Sequence, residues 1–346
     1  MPSYENQGAI EIRRLFAEKV KRAESTRLGL KLFPIKKQKT QKVIYEREGI
    51  RRGLQAATGI GGPASRVVLP GFSSFETDPG YYKEFIQFTD EDFINRRLPG
   101  NWFEPASLEA LEALASDYLY GRYLDRREKN VFDTMVNGGF QALDAFGSIK
   151  WQSLYKITLG SSTTAFTNLT ASTPMADFRA LVVQFQFGKS VDFTNGEVWM
   201  NANTKNMILA NQNANDLKGF RLNNGDTVNS YKDKETGLNR IMLANDLPEI
   251  VVYDESYYPD AVAGVFGPAV RFIPDGKALF IGKRTDGVPF GGYVMTPATQ
   301  NGGKAGEWFL VVDKRATTEP YVTVAMGHNG APVLEYPEAV ACATLY

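Results

Sequence analysis

The residue types that carry out nucleophilic or metal chemistry are scarce in this chain. Its 346 residues include one histidine, His328, and one cysteine, Cys342. They would make a base and a nucleophile only if the fold brought the thiol within hydrogen-bond reach of the imidazole. Read separately, they are a lone histidine in a loop and a small buried cysteine. One His and one Cys fall short of the usual zinc sets, and a single cysteine excludes an intrachain disulfide. Gly59-Ile60-Gly61-Gly62-Pro63-Ala64 has the letters of a dinucleotide-binding turn. That turn works only between a strand and a helix N-terminus that holds the pyrophosphate. Here Pro63 lacks an N–H, and the β-like run Val67-Val68-Leu69 follows. No full Walker-type phosphate loop is present, and Asn168-Leu169-Thr170 is a glycosylation sequon in letters only. Carboxylates are plentiful, yet none sits in a context that reads as an acid–base pair. The sequence therefore assigns no catalytic residue, no cofactor and no metal.

Charge patterning says more. Lysine plus arginine and aspartate plus glutamate number 39 each, so the formal net charge is zero. The first 53 residues hold 14 basic and 6 acidic residues, a net of +8, leaving −8 on the remaining 293. Arg13, Arg14, Lys19, Lys21, Arg22, Lys36, Lys37 and Lys39 are the heart of this basic arm. It carries no recognisable base-reading module, so any contact with DNA would be to phosphates, without sequence readout. From Ser73 to Asn95 there are six acids and one base, a net of −5. There is no apolar N-terminal leader and no run of the roughly 18–20 apolar residues that a membrane helix needs, so the expectation is a soluble protein made in a cytosol.

The elements that would position these groups follow from periodicity. Residues 9–28 place Ile12, Leu15, Phe16, Val20 and Ala23 on one face of an amphipathic helix. Residues 66–104 read as extended: Phe72 and Phe75 precede the Asp78-Pro79-Gly80 turn, and the β-rich run Tyr81 to Phe88 follows, predicting a long hairpin. Pro105 and the Leu/Ala/Glu/Arg-rich run after it predict a helix over 106–137, with Gly121 as a candidate bend and Gly138-Gly139 as its end. A shorter helix is predicted over Pro174 to Phe187 with Thr173 as N-cap, and another over Thr204 to Phe220. Strands are expected around Lys150 to Leu159, Glu197 to Asn201, Ile250 to Tyr253, Ala278 to Ile281, Trp308 to Asp313, Tyr321 to Met326 and Ala339 to Leu345. Asn223 to Gly237 reads as a polar loop, and Val288 to Gly306 as turn-rich and mobile. The class is α+β.

Several short motifs, in shared order, resemble the lambda-type branch of tailed-phage coat proteins with the Hong Kong 97 fold. They are Phe75-Glu76-Thr77-Asp78-Pro79-Gly80-Tyr81, Arg96-Arg97-Leu98-Pro99, Glu249-Ile250-Val251-Val252-Tyr253, Phe272-Ile273-Pro274-Asp275-Gly276, and Ala331-Pro332-Val333-Leu334 leading to Pro337-Glu338. The resemblance implies an order of parts: an N-terminal arm (1–65), an extended hairpin loop (66–104), a spine helix with peripheral domain (105–195), an axial domain (196–307), and closing peripheral strands (308–346). It also implies a structural role. Hexamers and pentamers would form the icosahedral head around packaged double-stranded DNA, with a scaffolding protein and portal during assembly and a decoration protein as a further partner. The location would be the virion, assembled in the host bacterial cytoplasm. On this reading Phe72, Phe75, Glu76, Asp78, Tyr81, Tyr82, Glu84 and Asp90 of the hairpin contact a neighbouring subunit, and the basic arm meets a neighbour or DNA phosphate. A hairpin alone is marginal in water, which suits a part that lies across something else. Some relatives crosslink a hairpin lysine to a neighbour's asparagine. Lys83 is the only hairpin lysine here, no catalytic carboxylate is assignable, and the lambda branch lacks the crosslink. The competing readings are an encapsulin compartment, which would hold cargo rather than DNA, and an unrelated α+β enzyme with a deep polar pocket.

Overall fold

The computed structural model describes residues 26–48, 72–89, 91–92, 107–143, 149–187, 189, 191–210, 234–259, 267–284, 291–298, 309–315 and 321–346. A short helix, α1 (Leu28–Leu32), leads into β1 (Ile35–Lys37), β2 (Val43–Glu48), β3 (Phe72–Thr77) and β4 (Gly80–Thr89). The spine follows as α2 (Leu108–Asn137), then β5 (Gly139–Leu143), β6 (Ile149–Ser153), β7 (Thr158–Ser161) and α3 (Pro174–Gln186). Next come β8 (Val191–Met200), α4 (Ala202–Ala210), α5 (Lys234–Ala244), β9 (Glu249–Val252), β10 (Ser256–Tyr257), β11 (Val270–Arg271) and β12 (Lys277–Arg284). The chain closes with β13 (Gly291–Met295), β14 (Phe309–Arg315), β15 (Tyr321–Leu334) and β16 (Val340–Thr344).

The spine is an uninterrupted 30-residue helix, about 45 Å long at ~1.5 Å per residue. Its ends are locally specified. Ser107 is the N-cap, its hydroxyl accepting from the Ala110 N–H at 3.2 Å. Gly138 stops the helix with φ 76°, its N–H donating to the Thr134 carbonyl. A Cβ at Gly138 would lie 2.3 Å from the Tyr155 carbonyl oxygen, so glycine is required there twice over.

Two sheets flank the spine. One has the order β7-β16-β12-β8-β9 and is covered on both faces. Its alternating side chains divide between two cores. Trp199, Leu279, Ile281, Val340 and Cys342 share a core with Phe132 and other spine residues. Val198, Met200, Ala278, Phe280, Ala341 and Ala343 share the other core with α3, α4 and α5. The second sheet is centred on β15. β4 runs antiparallel along Tyr321–Gly330 on one edge, while β14 and then β13 take the opposite edge, and β1 adds in parallel to β13. Its inner face, including Phe88, Leu310, Val324 and Met326, joins the spine core.

Long-range pairing departs from the expected hairpin. Among the described residues of 66–104, β3 and β4 do not pair with each other. β3 is antiparallel to β2, from Val43↔Thr77 to Glu48↔Phe72, and β4 is antiparallel to β15. The Asp78-Pro79-Gly80 turn therefore separates strands that go to different partners. The two-stranded ribbon is β2–β3, and its first strand comes from the segment assigned to the arm. From Leu28 onward that segment is built into the body. Most of the amphipathic stretch 9–28, and 211–220 of the third predicted helix, lie outside the described residues.

Three further expectations change. Val288 to Gly306 contains β13, which is wholly buried. Its glycines, read as turn signals, are close approaches instead: a Cβ at Gly291 or Gly292 would press on Phe33 or Lys36. His328 lies in β15, 1% exposed, and not in a loop. The closing segment 308–346 is divided, with β14 and β15 in the spine-facing sheet and β16 in the doubly covered one. The small side chains of Val-Ala-Cys-Ala-Thr fit the narrow layer between α2 and α3. Likewise, of the elements expected with the spine unit, β7 is an edge strand of the doubly covered sheet and α3 packs in the second core, and β13 joins the sheet of β15.

Candidate functional site

Strand β4 sorts its residues by strict alternation. Tyr82, Glu84, Ile86 and Phe88 face the body, and Tyr81, Lys83, Phe85, Gln87 and Thr89 face out. Glu84 receives two hydrogen bonds from Arg122 of the spine, at 2.5 and 2.7 Å. Tyr82 donates to the Gln141 carbonyl at 2.6 Å and accepts from Asn130 at 3.0 Å, and burial pushes its hydroxyl pKa up to about 12. Two of the residues expected to contact a neighbour thus hold β4 to its own spine helix. Tyr81 remains on the outward face. Phe85, which sequence reasoning passed over, is 62% exposed there. It stands directly opposite Ala325 on β15, which in turn faces Val311 on β14. The result is an in-register apolar row across three strands, flanked by Lys83 and Gly327 on one side and Gln87, Thr323 and Asp313 on the other. The signal was available: in the run from Tyr81 to Phe88, Phe85 shares its parity with Tyr81 and Lys83, not with Tyr82 and Phe88.

The β2–β3 ribbon also has two faces. Its inner face places Tyr45 against Phe75 (centroids 5.6 Å apart) with the Arg47 guanidinium 4.4 Å above the Phe75 ring. Arg47 and Tyr45 both donate to the Leu154 carbonyl, at 2.7 and 3.3 Å, fastening the ribbon base to its own body. The outer face presents Ile44, Glu46, Ser74 and Glu76, all exposed. Glu76 also pairs with Lys42 at 3.2 Å. Of the other hairpin candidates, Asp78 is exposed in the turn, Phe72 is a strand residue whose side chain lies outside the described set, and Asp90 is outside it altogether. Among the arm candidates, Lys36 pairs with Glu335 at 2.5 Å, and Lys37 and Lys39 are exposed. Arg13, Arg14, Lys19, Lys21 and Arg22 lie outside the described residues.

The two residues with chemical promise are apart. Cys342 sits in β16, and burial raises its thiol pKa to about 11, so it is protonated at neutral pH. His328 is in the other sheet, stacked on Tyr82, edge-on to Tyr123, and hydrogen-bonded through Nε2 to the Tyr293 hydroxyl at 2.9 Å. Burial, with Arg127 and Arg126 nearby, holds its pKa well below the usual imidazole value, so it is neutral. The geometry offers a packing node, not a nucleophile and its base. Among the described residues no cluster of three or more His, Cys, Asp or Glu is arranged to hold a metal. A cavity of about 460 Å³ lies between the root of the arm and the spine, lined by Thr26, Arg27, Asp117, Tyr120, Gly121, Leu124 and Glu255.

The sequence matches the family model of phage major capsid protein E over residues 17–301. No curated protein sequence matches it. Among solved structures, the fold is similar to a protein described as the capsid protein of a prophage from E. coli CFT073. The TM-score is 0.55 at 12% identity, covering 92% of this chain and 93% of that one. A phage-related protein from Bordetella bronchiseptica matches at TM-score 0.48 and 11% identity, over 93% of this chain and 92% of that one. The capsid of Myoviridae phage XM1 matches at 0.47 and 12% identity, over 90% and 89%.

Proposed function

The chain belongs to the phage major capsid protein E family and is a structural subunit of a phage head; from that premise we propose that it assembles through the outer face of its β2–β3 ribbon and the open face of its β4–β15–β14 sheet. Copies form hexamers and pentamers of an icosahedral shell around double-stranded DNA, built in the host cytoplasm with a scaffolding protein and a portal, and open to a decoration protein on the finished head. The subunit carries out no chemistry of its own. The observation that carries this reading is the in-register row Phe85–Ala325–Val311, in which Phe85 and Val311 flank the buried Ala325 and stand exposed. Neighbouring large apolar side chains left in water on a folded body are a surface for another macromolecule, and a shell subunit meets its own copies at the highest local concentration.

Charge complements the apolar contact. The ribbon's outer Glu46 and Glu76 suit basic groups from the arm of an adjacent subunit, including Arg13, Arg14, Lys19, Lys21 and Arg22. Exposed pairs contribute only ~0–1 kcal/mol each, so Ile44, Phe85 and Val311 supply most of the affinity. Arm residues not engaged this way meet packaged DNA through phosphates alone.

Electron microscopy of the expressed protein, with scaffold supplied, tests the reading. Wild type gives shells, tubes or hexameric rings, and Phe85→Glu gives folded, unassembled subunits. Persistent monomers from the wild type with scaffold present, or normal shells from Phe85→Glu, would overturn it.

A further inference from the structure

One buried carboxylate is shared by three parts of the molecule. Glu128 lies on the spine helix and is 0% exposed. Its Oε2 accepts from the Arg27 guanidinium at 2.9 Å, and the backbone N–H of Gly29 also donates to the carboxylate. Arg27 and Gly29 form the root of the arm at the start of α1. Its other oxygen, Oε1, accepts from the Tyr253 hydroxyl at 2.5 Å. Tyr253 immediately follows β9, at the edge of the doubly covered sheet. Arg27 is held additionally by Asp125, one turn before Glu128, at 2.7 Å.

No hydrogen bond joins Arg27 to Tyr253; they meet through opposite oxygens of one carboxylate. α1 is otherwise closely seated, since a Cβ at Gly29 would stand 3.1 Å from the Phe132 ring and 3.3 Å from Glu128. Phe132 is itself stacked on Tyr253 (centroids 5.3 Å) and Phe272 (5.8 Å). The cavity beside Arg27 leaves room on the spine side for the arm root to shift.

A buried ion cluster of this kind adds little over an apolar replacement, but it is strict about geometry. A carboxylate with two partners from the arm root, Arg27 and Gly29, and one from the sheet, Tyr253, is satisfied only when both parts are docked. If either leaves, the other faces a buried charge with incomplete compensation, and its own docking weakens.

We propose that Glu128 is a coupling latch: it makes docking of the arm root at Arg27 and Gly29 and docking of the β9 end at Tyr253 depend on each other across the spine helix. A pull on the arm by a neighbour is thereby felt in the doubly covered sheet, and a shift of that sheet loosens the arm. Coupling of this kind is reciprocal. It concerns the folded subunit alone and stands whether or not the assembly surfaces proposed above are correct.

Amide hydrogen exchange on the full-length chain, kept unassembled at low concentration, tests it. Tyr253→Phe, which removes only the hydroxyl, is expected to speed exchange of the amides of residues 28–33 by about tenfold. Arg27→Gln is expected to speed exchange in residues 250–252 by a similar factor. In a Glu128→Gln background both cross-effects shrink to less than about twofold, because the shared charge is gone. If Arg27→Gln is poorly folded, Arg27→Lys, which keeps the charge but loses the guanidinium geometry, gives a smaller effect in the same direction. Effects confined to the mutated element in the native background, or cross-effects that persist undiminished in Glu128→Gln, would overturn the latch.

Discussion

The two large sheets are built from similar apolar runs but live in different surroundings. The β7-β16-β12-β8-β9 sheet lies between the spine helix and the layer of α3, α4 and α5, so the side chains on both faces of its central strands meet protein. In the sheet of β4, β15, β14, β13 and β1, β13 and the end of β15 are buried on both faces, but the outward side of β4 and β14, away from the spine, leaves Phe85 and Val311 exposed. A sheet buried on both sides is held in place by its own chain. A sheet with a free face keeps part of its apolar surface for something else. The difference separates stability from assembly: substitutions in the first sheet and its helix layers should unfold the subunit, while substitutions on the free face of the second should leave it folded and unable to associate.

The strongest test of that division is Phe132→Ala, at the joint between spine and covered sheet. Phe132 is 1% exposed and packs on Trp199, Tyr253 and Phe272, so truncation should cost about 3–5 kcal/mol in chemical denaturation. Loss of less than about 1 kcal/mol would mean that the joint is loose. Gly138→Val comes next. Its left-handed backbone alone costs ~1–3 kcal/mol for a branched residue, and the approach to the Tyr155 carbonyl adds to that. Thermal unfolding should show a clear fall in Tm.

A smaller effect, dependent on pH, is expected at His328. Its folded-state pKa lies well below the ordinary value of about 6.5. The unfolded chain therefore binds the extra proton first. The stability that neutral His328 contributes is present above about pH 6.5 and is lost as pH falls toward the folded pKa. The slope is at most ~1.4 kcal/mol per pH unit. His328→Gln should flatten the stability profile between about pH 6.5 and 5; an unchanged slope in that window would show that another group sets it. The smallest stability effect belongs to Phe85→Ala on the free face, under about 0.5 kcal/mol, with loss of shells in the electron microscope as its signature. If Phe85→Ala were as destabilising as Phe132→Ala, the contrast between the two sheets would collapse.

Much of this was legible in the residues. The spine helix and its stop at Gly138 follow from Leu/Ala/Glu/Arg propensity and glycine, although its N-cap is Ser107 and not a start at Pro105. α3 from Pro174 and the runs that become β9, β12 and β16 follow from local pattern as well. The shell function was reached through motif order along the chain. The candidate contact residues were only partly legible. The predicted hairpin was chosen because two β-rich runs flank Asp78-Pro79-Gly80, and proximity in sequence stood in for pairing. Tyr82 and Glu84 then looked like outward anchors, although the alternation that buries Phe88 turns them inward. Gly291-Gly292 looked like a turn because glycine's freedom to turn and its small size carry the same letter.

Local interactions are encoded within a few residues, so the sequence by itself determined the long helix and its glycine stop, several of the strands, the separation of a basic N-terminal segment from an acidic body, and the scarcity of nucleophilic and metal-binding side chains. Strand partnership depends on which faces find a covering layer, and those layers come from distant parts of the chain. Only the tertiary structure decided that β4 joins β15, that β3 joins β2, that His328 and Cys342 lie in separate sheets, and that Glu128 receives both the arm root and the end of β9. Burial sets these outcomes. A side chain's partner, its charge state and whether it serves the core or a neighbour are properties of the assembled layers, and no short window of sequence contains them.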